Sequence, residues 1–587
     1  MVRAVRVTDA AAEFDHRPDG TIYVRSPRTL PAYPELLTDR FEHWTERTPN
    51  QTWLARRGAD GEWQRVTYGH ALPRVRAIAQ ALVNRGLSYD RPVAILSGNS
   101  IEHALLALGA MYAGVLYAPI APAYSLAVTN FDALTNLWKR FRPALVFADD
   151  GARFAKALNA MPLSYTEVVT ADTFADLEHT EINPSLEQAH ARVTPDTVAK
   201  ILFTSGSTGT PKGVITTQRM LCSNQEMIRS SMQFLADEPP VLCDWLPWNH
   251  TFGGSHNFGI ALYNGGSLYI DDGRPTSAGF AATARNLREI ATTAYFNVPK
   301  GFEMLVEQMR ADPELRRTFY SKVQVLFYAA AGLSQRIWND LQELAVAECG
   351  EEILMMTGIG ATETAPAALF TGIEGAESGL VGLPLPGLDL KLAPVGRKLE
   401  ARVKGACVTQ GFYRDEALTR ASFDEEGFYK MGDALVFADP ADPLKGFRFD
   451  GRLTEDFKLS TGTWVSAGPL RMNLIAYFGA LVQDIVLAGP DRDYVTALVF
   501  PAPNASVSEF RSKLTALART STGSSTCIRR AILLTEPASI EAGEMTDKGS
   551  LNQHAVREHR SAIVEMLYQT NPPEHVICAD TEIGRTA

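Results

Sequence analysis

The sequence predicts an α/β protein with a large N-terminal body of mostly parallel sheets flanked by helices, followed by a small α+β C-terminal domain. Three observations lead there. The chain has 587 residues, more than a single hydrophobic core usually holds, so several domains or a large body with an appendage is expected. From about Phe41, short apolar strands alternate with helical segments in a βαβ rhythm. After residues 446–453 (GFRFDGRL) the texture changes to compact strand candidates separated by polar and helical stretches. The expected division is an N-terminal extension over 1–40, a large domain over 41–452 and a small domain over 453–587.

The elements follow in order. RPVAIL (91–96) reads as a strand and SIEHALLALGAMYAG (100–114) as the helix after it. ALVFAD and EVVTAD are further strands around the helical GARFAKAL. A second run comprises AKILFT, VLCDWLP, SLYID, TTAYFNVP, VQVLFYAAAG and EEILMMTG, and the tail offers DIVLAG, YVTALVFP and RAILLTEP. Residues 104–128 carry no charge and are long enough to cross a bilayer. Gly114, Pro119 and Pro122 interrupt them, so the reading is a buried helix ending at Gly114 and then a short strand.

Composition narrows the function classes. Hydrophobic residues make up 45% and charged residues 21%, an ordinary globular balance. A net charge of -11 argues against a general nucleic-acid surface, although small anions can still be held locally. The six cysteines are scattered, with no CxxC pair, which speaks against structural zinc or a disulfide scaffold. The first twenty residues lack the apolar run of a secretory signal. The expectation is a cytoplasmic protein with no membrane or nucleic-acid partner, as a monomer or homodimer.

The strongest chemical signal is ILFTSGSTGTPKGV (201–214). An apolar strand runs into Thr204, Ser205, Gly206, Ser207, Thr208 and Gly209, and then reaches Lys212. Glycines let backbone N–H groups curl around phosphate oxygens, hydroxyls add donors, and Lys212 adds positive charge. This is not a Walker A loop, because Pro211 precedes the lysine and Gly213 follows it. A glycine-serine linker would not sit directly after a buried strand.

TSGSTGTPKG resembles the loop that marks the adenylate-forming superfamily: acyl- and aryl-CoA synthetases, peptide-synthetase adenylation domains and luciferases. The resemblance runs from about Leu37 to the end, with companion motifs in the family's order. It implies ATP, Mg2+ and coenzyme A as reactants or cofactors, and a C-terminal domain that is mobile between two steps. LPWNHTFGGSHNFG (246–259) is similar to the family's segment beside the acyl pocket. That implies His250 near the carboxylate; Trp248, Asn249, Phe252 and Asn257 of this segment, with Phe296 and Asn297 of TTAYFNVP, lie in segments expected around the acid. VLFYAAAGLS (325–334) implies Ala330, Ala331 and Gly332 along the adenine. TGIGATETAP (357–366) implies Gly358, Ile359 and Gly360 in the nucleotide turn, Thr362 on phosphate and Glu363 on magnesium. Ile359 stands where many relatives carry an aromatic residue. GFYKMGDAL implies Asp433 on the ribose hydroxyls. GRLTEDFKLSTGTWV implies Arg452 on ribose or phosphate, with Lys458 and Gly462 toward the CoA arm; Thr454 replaces the usual Asp or Lys at the pivot. GEMTDKGSLNQHAV implies Lys548 as the adenylation lysine, although here glycine follows the lysine rather than preceding it, and a surface lysine is the alternative. The whole set looks most like feruloyl-CoA synthetases. The rivals are a medium-chain fatty acyl-CoA ligase, an adenylate donor to a carrier protein, and a degenerate, non-catalytic acyl- or nucleotide-binding sensor.

Overall fold

The computed structural model describes residues 1–579 apart from 10, 205–210, 277, 373–376, 378, 504, 522, 540–541 and 546–550. Within them the body is built on sheets of eleven, six and four strands, and the C-terminal part on sheets of two and four.

The six-stranded sheet shows the expected parallel rhythm. Val93–Leu96 pairs in parallel with Tyr117–Pro119 and Leu145–Ala148, and the sheet continues to Glu167–Thr170 on one side and Val198–Thr204 on the other. Its central strands are buried on both faces, which is why they read as unbroken apolar runs. The uncharged stretch becomes the buried helix Ile101–Ala113, stopped by Gly114 at φ 68°, followed by the strand Tyr117–Pro119. Among the described residues, no helix is long and apolar enough to cross a membrane.

The eleven-stranded sheet is mixed. Ala294–Asn297, Val325–Tyr328 and Leu354–Gly360 pair in parallel at one end. From Leu354–Gly360 onward every pairing is antiparallel, through Ala367–Phe370, Leu380–Pro384, Phe447–Arg452, Tyr429–Phe437, Lys398–Gly405 and Leu388–Val395. The body is thus less uniformly parallel than the sequence rhythm suggests. Residues 388–405 supply two strands and a tight turn with no crossover helix, and only antiparallel pairs can be joined that way.

The segment expected as an N-terminal extension is woven into this body. Ile22–Arg25 adds to the edge strand Leu388–Val395, and Glu13–His16 pairs with Ile22–Arg25. The Arg3 guanidinium donates to the carbonyls of Tyr320 and Val323 at 2.9 and 2.8 Å. Alternation in IYVR buries Ile22 and Val24 on the sheet face, and this short pattern is the only sequence cue to the pairing.

The last strand of the body ends at Arg452. Beyond it, the hairpin Phe457–Lys458/Trp464–Val465 precedes a sheet of Val482–Ala488, Val495–Pro501, Ile528–Leu533 and Ile577–Cys578. This smaller unit has its own apolar core, including Leu474, Ile485, Val499 and Phe510. Its first helix, Ala467–Phe478, lies against the body, with Gly468 backed onto Gly451.

Candidate active site

The side expected to face phosphate starts from a strand pair. Val198–Thr204 and Lys212–Thr217 pair antiparallel, with Lys212 opposite Thr204, so the two residues on either side of the glycine-rich stretch are held in register. Thr204 Oγ1 is buried and has no hydrogen-bond partner among the described residues. Lys212 Nζ donates to Glu363 Oε1 at 2.7 Å and stands over the Phe412 ring. Glu363 lies in the short turn Thr362–Thr364 that follows Leu354–Gly360, and both Thr362 and Glu363 are buried. The turn depends on Gly360, because a Cβ there would meet the Pro366 carbonyl oxygen at 1.9 Å. Gly358 is equally constrained by the Leu369 carbonyl.

The residues expected at the ribose are set by strand register. Asp433 and Arg452 face each other across two paired strands, with Nε 3.2 Å from Oδ1. Asp433 is buried, and among the described residues Oδ1 receives no aligned hydrogen bond, so this contact is an ion pair that leaves acceptor capacity for a ligand. Burial pushes the Asp433 carboxyl up to about 6 against the pull of Arg452, and the Glu363 charge adds to the rise. Burial, and then the neighbouring Glu363 charge, push the Tyr429 hydroxyl well above its ordinary range, with smaller effects from Arg452 and Asp433. The phosphate-side and ribose-side groups therefore form one electrostatic cluster.

Ala330, Ala331 and Gly332 form an exposed turn after Val325–Tyr328, with Ala330 in the left-handed region at φ 73°. A non-glycine residue there is strained, a feature concentrated at ligand sites. Met472 of the C-terminal unit reaches this turn, and its Cε would lie 2.9 Å from a Cβ on Gly332. Ile359 is half-buried against the main core, presenting an aliphatic rather than an aromatic surface.

The segment expected beside the acid contains a π-helical stretch, Phe252–Asn257. Gly254 makes it fit, since a Cβ there would meet the Trp248 carbonyl oxygen at 2.0 Å. The His250 carbonyl accepts from the Gly254 N–H at 2.7 Å, fixing the entry to the turn. Phe252 and Phe296 both pack on the His256 ring. Trp248 and Asn249 are buried. Asn257 and Asn297 are fully buried with their amides engaged internally, Asn257 to Asp244 Oδ2 at 2.9 Å and Asn297 to the Tyr295 hydroxyl at 2.8 Å. They shape the wall rather than offer it a polar group.

Two residues at this wall escaped the sequence reading. Lys200 is buried and donates to the Gly254 carbonyl at 2.8 Å, and burial pulls its amine down to about 7. His256 is buried among phenylalanines. Neither a lysine in a strand nor a histidine between serine and asparagine advertises burial in the sequence.

On the C-terminal unit, Lys458 lies over the Trp464 ring and Gly462 turns the hairpin at φ 78°. Ser205, Gly206, Ser207, Thr208, Gly209 and Lys548 lie outside the described residues. Met545 and Leu551 pair across the segment that holds Lys548.

The family model for AMP-binding enzymes matches residues 41–413. The chain belongs to that family. The matched region contains Lys212, Glu363 and residues 246–259, while Asp433 and Arg452 follow it. Long chain acyl-CoA synthetase 6, peroxisomal, of Arabidopsis thaliana is 26% identical over 505 residues, spanning 74% of this chain and 69% of that protein. A long-chain-fatty-acid–CoA ligase of Mycobacterium bovis is 24% identical over 537 residues, 82% of this chain and 85% of that protein. Among solved structures, the anthranilate CoA ligase AuaEII in complex with anthranoyl-AMP aligns with a TM-score of 0.73 at 18% identity, over 91% of this chain and 98% of that one. ATP-bound MatB from Rhodopseudomonas palustris aligns with a TM-score of 0.66 at 23% identity, over 89% and 99%. These structural likenesses establish the adenylate-forming α/β fold, a large sheet-containing body with a smaller C-terminal domain.

Proposed function

We propose that this AMP-binding enzyme is an ATP-dependent acid:CoA ligase acting on ferulate and related hydroxycinnamates. The observation that carries the reading is the single cluster of Lys212, Glu363, Tyr429, Asp433 and Arg452 at the base of the glycine-rich hairpin. It combines a cation for phosphates, an acceptor for ribose and a carboxylate for a metal ion.

In the first step an acid oxygen attacks the α-phosphorus of ATP, a bond forms there, and the bond to pyrophosphate breaks. The protein's work is alignment and charge neutralisation. Lys212 and the 205–210 loop hold the departing phosphates, Thr362 contacts phosphate, and Asp433 accepts from the ribose hydroxyls. His250 lies beside the carboxylate and Lys548 bridges it to the nucleotide. Among the described residues no group of three His, Cys, Asp or Glu side chains could hold a metal alone. A lone buried carboxylate suits a hard cation that takes its other oxygens from ATP, so Glu363 fits Mg2+. When bound, Mg2+ supplies positive charge to the polyphosphate. In the second step the CoA sulfur attacks the acyl carbon and AMP leaves, with Lys458 and Gly462 brought round by movement of residues 453–587.

The aromatic assignment is supported by the ring-lined wall of Phe252, Phe296, Phe327 and Phe370 around His256. A second reading, a fatty acyl-CoA ligase, is favoured by the two curated relatives named above. A panel of ferulate, p-coumarate, caffeate, benzoate and octanoate separates them. Ferulate and p-coumarate are expected to have the highest kcat/KM; octanoate in that position would establish the second reading. Absence of ATP–pyrophosphate exchange with every acid would leave a non-catalytic binder.

A further inference from the structure

The His256 side chain is buried, with ring centroids of Phe252, Phe296, Phe327 and Phe370 at 5.4, 5.1, 5.5 and 6.2 Å. Its Nδ1 lies 2.8 Å from Asn257 Oδ1. The other end of that amide, Nδ2, donates to Asp244 Oδ2 at 2.9 Å. Asp244 is itself fixed by accepting the Leu246 N–H at 3.0 Å. Burial raises the Asp244 carboxyl to about 7; above that pH it is ionised and only accepts, so the Asn257 amide turns its nitrogen to Asp244 and its oxygen, which can only accept, toward His256. Nδ1 therefore carries the ring proton. Burial lowers the imidazole to about 4, so the ring is neutral near pH 7 and Nε2 presents a lone pair.

That lone pair has no partner. Nε2 is buried and unbonded among the described residues. A buried acceptor left open inside an apolar cage is a feature that calls for an explanation, and a ligand donor is one. Phe252 and Phe296, which flank the ring, belong to the proposed acyl wall. The π-turn that carries Phe252 and His256 is a geometry enriched at functional sites.

We propose that His256 Nε2 accepts a hydrogen bond from the phenolic hydroxyl of a 4-hydroxylated arylpropenoic acid, with Asp244 and Asn257 fixing the tautomer that makes this match. The inference rests on the aryl-acid reading above and adds the residue that sets its selectivity. A 4-hydroxyl donates to Nε2, whereas a hydrogen or a methoxy group at that position cannot. An alkyl chain would leave the acceptor buried and open.

The test is kcat/KM for 4-hydroxycinnamate, 4-methoxycinnamate and cinnamate with the wild-type enzyme, His256→Leu and Asn257→Leu. The wild type is expected to favour the 4-hydroxy acid over both others by about tenfold to a hundredfold, the range for losing a hydrogen bond to a buried polar group. His256→Leu is expected to collapse the ratios toward unity, and Asn257→Leu to reduce them by releasing the tautomer. Circular dichroism of each variant checks the fold, and the wild-type ratios stand without any variant. Efficient use of all three acids with no preference for the hydroxyl overturns the inference and leaves the aryl reading intact. Ratios unchanged in a folded His256→Leu do the same. Turnover of octanoate but of no arylpropenoic acid overturns both.

Discussion

Lys212 Nζ lies 2.7 Å from Glu363 Oε1, so the lysine after the glycine-rich loop is paired with the carboxylate assigned to magnesium. The two charges hold each other in place and must separate when polyphosphate and its cation enter. Glu363→Gln is expected to raise the Mg2+ concentration needed for half-maximal adenylation and to lower the rate by about 100-fold, as for loss of one transition-state electrostatic contact. A Mg2+ titration of ATP–pyrophosphate exchange measures both. An unchanged Mg2+ requirement would remove Glu363 from the metal site.

Asp433 gives the site a pH dependence. Its proposed acceptance from both ribose hydroxyls is strongest when it is ionised, and its carboxyl is pushed up to about 6. Nucleoside affinity is therefore expected to fall as pH drops through about 6 and to level off above 7. Adenosine binding by calorimetry between pH 5 and 8 tests this without a titrating phosphate. Asp433→Asn is expected to bind weakly with a flat profile, and an equally sloped profile in that variant would assign the titration elsewhere.

Lys200 predicts a pH dependence of stability. Its folded value near 7 lies below the ordinary 10.5, so the native state binds fewer protons than the unfolded state between those values. Stability from this group therefore rises with pH across that window, and the burial cost is greatest below about pH 7. Lys200→Met leaves the Gly254 carbonyl without its donor at every pH but removes the titration. The Tm of the variant relative to wild type is expected to be more favourable at pH 6 than at pH 9.5; a pH-independent difference would contradict the shift.

Much of this was legible in the sequence. Strands such as LVFA and VLFY are short, uncharged runs buried on both faces within a βαβ rhythm, so their place in parallel sheets followed from pattern. Residues 201–214 read as a strand running into a glycine-rich stretch, and the strand is Val198–Thr204; Thr362, Glu363 and Asp433 were picked out by the family resemblance of 357–366 and 427–435 rather than by spacing. The antiparallel pairing of Leu388–Val395 with Ile22–Arg25 was not legible, because the partners are separated by hundreds of residues and share only a short alternation. Nor was the pairing of Lys212 with Glu363, or the open acceptor of His256. Both depend on side-chain direction, which spacing along the chain does not carry.

The two half-reactions are expected to separate by residue. Lys548→Ala is expected to reduce adenylate formation by about two to three powers of ten while sparing thioester formation from supplied feruloyl-adenylate and CoA. Substitution of Lys458 or Gly462, which sit on the hairpin that opens the C-terminal unit, is expected to show the reverse bias. Equal losses in both half-reactions of Lys548→Ala would mean that this lysine stays in place between steps.

The identity of the nucleotide product tests the central claim most directly. With ferulate, CoA, ATP and Mg2+, chromatography is expected to show AMP, pyrophosphate and feruloyl-CoA rising together in equal amounts, because attack at the α-phosphorus releases the outer two phosphates as a unit. ADP and phosphate in their place would contradict adenylate formation.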